Sequence, residues 1–458
     1  MRSFLGRFHR PMSRGAMGDM LMMNSLGDGS TLNLDFTTGV LDSRLTFTRS
    51  TTATYINSSG YVTSAAINAP RFDYSPTNIG EPRGLLIEDQ AVNVCPQSQA
   101  LTTGWQNVSM NTPTVPSSPT ITDPFGGTSA TWKLVASSSA TSVPHTWRHA
   151  TLTFTAASYT FSFWAKAAEY DRIMLCDPGR GRGGCLFVLT GNGTATVVAN
   201  IVTPTNPQIT PYPNGWYRCS VTMVLSAENY AFGISGYPSS GATTGAFGPN
   251  YISNGTSGVY ATAMQIELGS GASSYIPTGA SGVTRNADNC SMYDTTLTGS
   301  LSWLKNATQG TFFIEATKRF SGTTFAGALF GTEAIATNDF MLYQAIGNNW
   351  LSFNWGGDNI TNYTALSAPF LIKAAVALSA GTPAPDADNM VSINGTNSAL
   401  NTASNVALPF ATNIFCIGSR AAASGSVPSQ NYADSAIRRI KFFPTALTAA
   451  QLNALTTP

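Results

Sequence analysis

The sequence predicts an all-β protein: an N-terminal arm, a small β-rich adaptor, two antiparallel β-sandwich (jelly-roll) domains and a short C-terminal helix. Three observations carry this. Apolar and polar residues alternate with period two over many short runs separated by Gly, Pro and Asn. Charged residues are only 10% of the chain, against roughly 25% in ordinary soluble domains. Ser, Thr, Asn, Gln and Gly must then supply the polar surface, a mix that suits sheets better than Glu- and Lys-rich helices. A chain of 458 residues also exceeds one ordinary core and calls for two or three domains.

Residues 1–28 read as a basic arm. Arg2, Arg7, Arg10 and Arg14 precede the first acid, Asp19, and Gly15, Gly18 and Gly27 oppose a stable helix. The apolar run Met20–Met23 is too short for a secretory signal, so the arm is expected to dock in an acidic groove on a partner protein. Residues 29–92 read as the adaptor. Leu32, Leu34 and Phe36 alternate with polar residues, and Asn57-Ser58-Ser59-Gly60 fits a hairpin turn with a left-handed glycine.

Residues 93–289 form the first predicted sandwich. Tyr159, Phe161, Phe163 and Ala165 share one strand face, leaving Thr160, Ser162, Trp164 and Lys166 on the other. Gly215–Met223 supplies a second strand. Residues 293–458 form the second sandwich, with strands at Gly310–Ala316, Val391–Ile393 running into Asn394-Gly395, Ile414–Gly418 and Ile437–Phe443. Thr448 is the expected N-cap of the closing helix, striped by Leu447, Leu452 and Leu455.

Two stretches carry a resemblance. One is Met264-Gln265-Ile266-Glu267-Leu268-Gly269, then Ser274-Tyr275-Ile276-Pro277-Thr278, then Val283-Thr284-Arg285-Asn286-Ala287-Asp288. The other is Leu45–Tyr55, Ala69-Pro70-Arg71-Phe72-Asp73 and Gly84-Leu85-Leu86-Ile87-Glu88. Together they resemble the segments that bracket carbohydrate-binding jelly rolls in bacteriophage tail-fibre and other virion proteins. Residues 293–458, above all the last fifty, resemble concanavalin A-like lectin and laminin-G-like domains. The resemblance implies a virion location, a homotrimer, other virion proteins as partners and a cell-surface glycan as ligand.

Sugar recognition pairs flat aromatic rings with side chains that bond hydroxyls. Trp147 with Arg148, Trp164 with Lys166, and Trp350 with Asn354 are the candidates. Trp164 has a second reading, as cover for the outer sheet or as a contact with a neighbouring subunit. Gly179-Arg180-Gly181-Arg182-Gly183-Gly184 lacks the ending of a phosphate loop and reads as a mobile loop, its arginines suited to an anionic glycan. Asp386, Asp388 and Asn389 read as turn residues rather than calcium ligands.

Other classes are disfavoured. Net charge is +1, so no basic footprint for nucleic acid covers the chain. No apolar run of membrane-spanning length occurs. Three His and no CxxC pair disfavour zinc, and neither a metal nor another cofactor is expected. The six cysteines are expected as buried free thiols, with Cys176–Cys185 the alternative bridge. Glu169, Asp171, Asp177, Glu228 and Glu267 form no pair in sequence, and no GxSxG or HExxH occurs. The expectation is non-enzymatic attachment to a polysaccharide. A capsid or tail decoration and a polysaccharide depolymerase stand as alternatives.

Overall fold

Strand pairing in the computed structural model departs from the linear order of the chain. The structure describes residues 28–458 except 118–119, 319–326, 333–339, 345–350, 356–357, 363–369, 380–389, 398–411, 423–427 and 431. The chain is all-β, with short α-helices only at Ser302–Lys305 and Ala449–Thr456 among the described residues.

The first sandwich packs a five-stranded sheet on a six-stranded one. The five-stranded sheet runs in the order Thr205–Tyr212, Trp216–Leu225, Ala157–Ala167, Gly258–Leu268 and Trp132–Val135. The six-stranded sheet runs from Thr194–Ala199 through Gly183–Val188, Arg172–Cys176, Gly233–Tyr237 and Thr146–His149 to Trp105–Val108. Tyr159, Phe161, Phe163 and Ala165 point between the sheets, with Cys219, Val221, Met223, Ile173 and Phe187. Alternation identified this face correctly, because one buried face forces period two on a strand.

The second sandwich packs an eight-stranded sheet on a seven-stranded one, and it corrects the expected domain boundaries. Residues 29–92 are not a separate adaptor. Leu32–Asp35 pairs with the last strand, Ser435–Phe443, placing Leu34 opposite Ile440. Pro82–Ile87 pairs with that same strand. Thr46–Thr48 pairs with Asn289–Tyr293, across the expected boundary at 289–293. Leu32, Leu34, Phe36, Phe47, Leu85 and Ile87 share one core with Met292, Phe312, Ile440 and Phe442. The second sandwich is therefore built from both ends of the described chain, and the first is inserted into it. Alternation reports which residues share a face, and it is silent on which distant strand completes the sheet.

Local signals fare better. Gly60 closes the hairpin of Ala53–Ile56 and Val62–Ala65 at φ 80°. Asn394 and Gly395 both have positive φ in a two-residue hairpin loop, as an Asn-Gly turn requires. Gly84 has φ 101°, and a Cβ there would lie 2.1 Å from the Ile437 carbonyl oxygen. Thr448 caps the closing helix and forms a capping box with Gln451. That helix buries Leu452 against Phe313, Ala375 and Phe443 on the outer side of the eight-stranded sheet. All six cysteines are buried free thiols, and burial pushes Cys176 and Cys185 up to about 12.

Candidate functional site

The outer face of the five-stranded sheet is polar, and its rows are fixed by register. Ser162 lies between Ser220 and Gln265, with Gln208 beyond Ser220; Trp164 lies beside Arg218, with Thr210 beyond. The second sandwich and its hairpin Ala53–Ile56/Val62–Ala65 cover most of this face. Trp164 is consequently 1% exposed, packed with Ile56, Val62, Tyr212, Trp216 and Tyr275. Tyr212 and Tyr275 meet its ring edge-on at 5.7 and 5.6 Å, and the Arg218 guanidinium lies 4.7 Å from it. Trp164 as an exposed sugar platform is thereby corrected. It does leave the main core, as alternation indicated, but it enters a second one.

The stretches that carried the resemblance meet here. Arg71 donates to the Thr54 carbonyl and the Ser274 hydroxyl at 2.8 Å and to Glu88 at 2.7 Å, and it also pairs with Asp288. Arg49 reaches Asp288 at 2.9 Å and the carbonyls of Thr51, Ala66 and Ala69. Ser274 returns two bonds to Glu88, and the Glu88 amide bonds Asp288. Arg49, Arg71, Glu88, Arg285 and Asp288 are all buried. Burial opposes the Arg71 charge, and Asp288 and Glu88 outweigh it, so its pKa is raised. This network joins the sandwiches and leaves no room for a ligand.

One part of the junction stays open. A cleft of about 110 Å³ lies beside the edge strand Thr205–Tyr212, whose Pro207 and Pro211 suit an edge. Space of about 10–15 Å³ holds one water, so several fit. The first sandwich contributes Asn206, Gln208, Thr210, Tyr212, Arg218 and Ser220; the second contributes Arg83 and Thr317. Arg218 is held by the Ser273 carbonyl at 2.6 Å and by Ser162. Asn206 and Gln208 bond one another. The hydroxyls of Thr210, Ser220 and Thr317 bond none of the described residues, and Arg83 has only a 3.9 Å contact with Asp73. Among the described residues, no Asp or Glu lines the cleft.

The sequence candidates are scattered rather than assembled. Trp147 is in the core of the first sandwich, its indole donating to the Leu101 carbonyl, which corrects it as a sugar contact beside Arg148. Arg148 is half-buried on the six-stranded sheet, away from Trp164 and Lys166 on the five-stranded one. Lys166 is half-buried and donates to the Asn214 carbonyl; burial lowers its pKa. Asn354 lies in the strand Leu351–Trp355, and its side chain is outside the described residues, as are Trp350, Asp386, Asp388, Asn389, Arg2, Arg7, Arg10 and Arg14. The arginine-glycine loop is tied down, which corrects the mobile loop. Asp177 accepts from the backbone of Gly179, Arg180 and Arg182, and Glu228 pairs with both arginines. Sequence reasoning missed the cleft residues, although Asn206, Gln208, Thr210 and Tyr212 alternate with Pro207, Ile209 and Pro211 in plain view.

No protein-family model matches the chain, and no curated protein matches it. Among solved structures, the Ruminococcus gnavus IT-sialidase CBM40 bound to α2,3 sialyllactose is similar at 16% identity and TM-score 0.28, over 36% of this chain and 91% of that one. A Trypanosoma rangeli sialidase in complex with sialic acid is similar at 11% identity and TM-score 0.27, over 76% and 62% of the two chains. Domains LG4-5 of the mouse laminin α1 chain are similar at 10% identity and TM-score 0.21, over 65% and 90%. At these TM-scores the likenesses carry no argument about binding or catalysis, and the fold rests on its own strand pairing.

Proposed function

We propose that this protein binds a cell-surface glycan without catalysis, as a fibre or spike of a bacteriophage particle, assembled as a homotrimer and held to other virion proteins by its basic arm. The junction cleft carries this reading: hydroxyl, amide and guanidinium groups converge in a wet concavity at the meeting of two sandwiches. Polyhydroxylated ligands are recognised by such donors and acceptors, through direct and water-bridged bonds. Among the described residues the lining carries no carboxylate pair of the kind that glycoside hydrolysis uses, which supports binding over hydrolysis.

A shallow wet site is weak by itself, and several copies on one particle would supply avidity. Trp350 and Asn354 remain proposed sugar contacts on the second sandwich, and Arg2, Arg7, Arg10 and Arg14 remain the proposed anchor. The test is host-cell adsorption by the full chain and by Thr210→Val/Ser220→Ala, with folding checked by circular dichroism. Adsorption should fall about tenfold, the loss expected of one or two hydrogen bonds. Unchanged adsorption would favour a decoration whose sandwiches contact only other subunits. Deleting residues 1–27 should abolish incorporation into particles while leaving a folded protein.

A further inference from the structure

We infer that the cleft selects a carboxylate-bearing sugar and that Arg83 reads the carboxylate; this rests on the reading of the cleft as a glycan site. Arg83 enters from the strand Pro82–Ile87 of the second sandwich, facing the row Gln208, Thr210 and Ser220 on the first. Its guanidinium carries five donors in a planar fork that matches a carboxylate. Among the described residues that fork makes no hydrogen bond. Its one ionic contact, to Asp73, is 3.9 Å long, and Asp73 already accepts from the Ile56 amide at 2.8 Å.

The other arginines of this junction are differently placed. Arg71 and Arg49 are fully engaged with Glu88 and Asp288, and Arg438 pairs with Glu315. Arg218 is fixed across the Trp164 ring and against the Ser273 carbonyl, where its charge adds to the potential of the cleft without being its reader. Among the described residues none of the lining is acidic, so a bound carboxylate meets two cations, and Asp73, 3.9 Å from Arg83 behind the lining, is the anion it competes with. Thr210, Ser220 and Gln208 lie across from Arg83 to take the hydroxyls of the same sugar. Arg83 thus holds the charge, and the first sandwich holds the ring substituents.

The experiment is a ligand-observed NMR titration of the full chain with sodium glucuronate and galacturonate against glucose and galactose. The uronates should bind about tenfold tighter than the neutral sugars, the worth of one charge-assisted pair. Added salt should narrow that gap. Arg83→Gln should abolish the gap, so that acid and neutral sugars bind alike, and Arg83→Lys should restore part of it. Equal affinity for acid and neutral sugars would overturn the acid assignment while leaving the glycan reading standing. An acid preference that survives Arg83→Gln would overturn Arg83 as its reader. Absence of binding by all four sugars would overturn the glycan reading of the cleft and this inference together. Thermal unfolding of both variants separates lost binding from lost structure.

Discussion

The inner face of the five-stranded sheet is buried by apolar contact alone, and its outer face by hydrogen-bonded polar groups beside a small apolar cluster around Trp164. Phe161, Phe163, Val221 and Met223 need only neighbours of the right volume. On the outer side, Gln265, Glu267 and Ser274 need particular partners. Gln265 donates to Glu267 at 2.7 Å, Ser273 donates its amide to Glu267 at 2.8 Å, and Ile276 donates to Gln265 at 2.7 Å. Apolar burial is forgiving because attraction there is non-directional. Polar burial is exacting because an unmatched buried group costs more than the matched bond contributes. The two faces should therefore respond differently to substitution.

Arg71→Met should show the largest effect. It strips Glu88 and Asp288 of their shared cation while both stay buried, and breaking such a pair costs about 3–5 kcal/mol. Denaturant midpoints should fall accordingly. A loss under about 1 kcal/mol would mean that water enters the junction and screens it. Trp164→Ala should cost about 3–5 kcal/mol as well, the range for large buried aromatics. A small loss would instead show that the outer face is loosely covered. On the inner face, Met223→Leu should cost less than about 1.5 kcal/mol by the same measurement. A larger cost there would erase the contrast between the faces.

The smallest effect concerns Glu267. Burial holds its carboxyl above the ordinary value of 4.5, so the fold favours the protonated form. That contribution is complete below the ordinary value and is lost as pH rises through the folded one. Glu267→Gln keeps an acceptor for Ser273 and removes the titration. Denaturant midpoints should show the parent losing ground to the variant as pH climbs from 4 to 7. A constant difference across that range would show that the carboxyl reaches solvent.

Much of the fold was legible from residues alone. The core face of Tyr159–Ala165, the Asn394-Gly395 turn and the Thr448 cap are local, and local chemistry dictates them. The partner of Leu32–Asp35 is not local, so the insertion of one sandwich into the other was invisible. The candidate site fared worse for the same reason. Trp164 shares its face with Ser162 and Lys166, which reads as exposure until another sandwich covers that face. Arg83, Thr317 and Ser220 meet only after folding, and no spacing in the chain connects them. Arg49, Arg71, Glu88, Glu267 and Asp288 belong to stretches that resemble a binding-protein family, yet here they join the sandwiches.

The pairing of Leu32–Asp35 with Ser435–Phe443 also sets a timetable. Arg439 bonds Asp35 across 404 residues. At about 5–20 residues per second of synthesis, the first strand waits roughly 20–80 s for its partner. The inserted sandwich finishes emerging well before then and has time to fold first. Meanwhile Leu32, Leu34 and Phe36 hang from the ribosome with an unpaired edge. A chaperone that holds nascent chains should therefore matter more to the yield of this protein than to that of a tandem arrangement of the same two sandwiches.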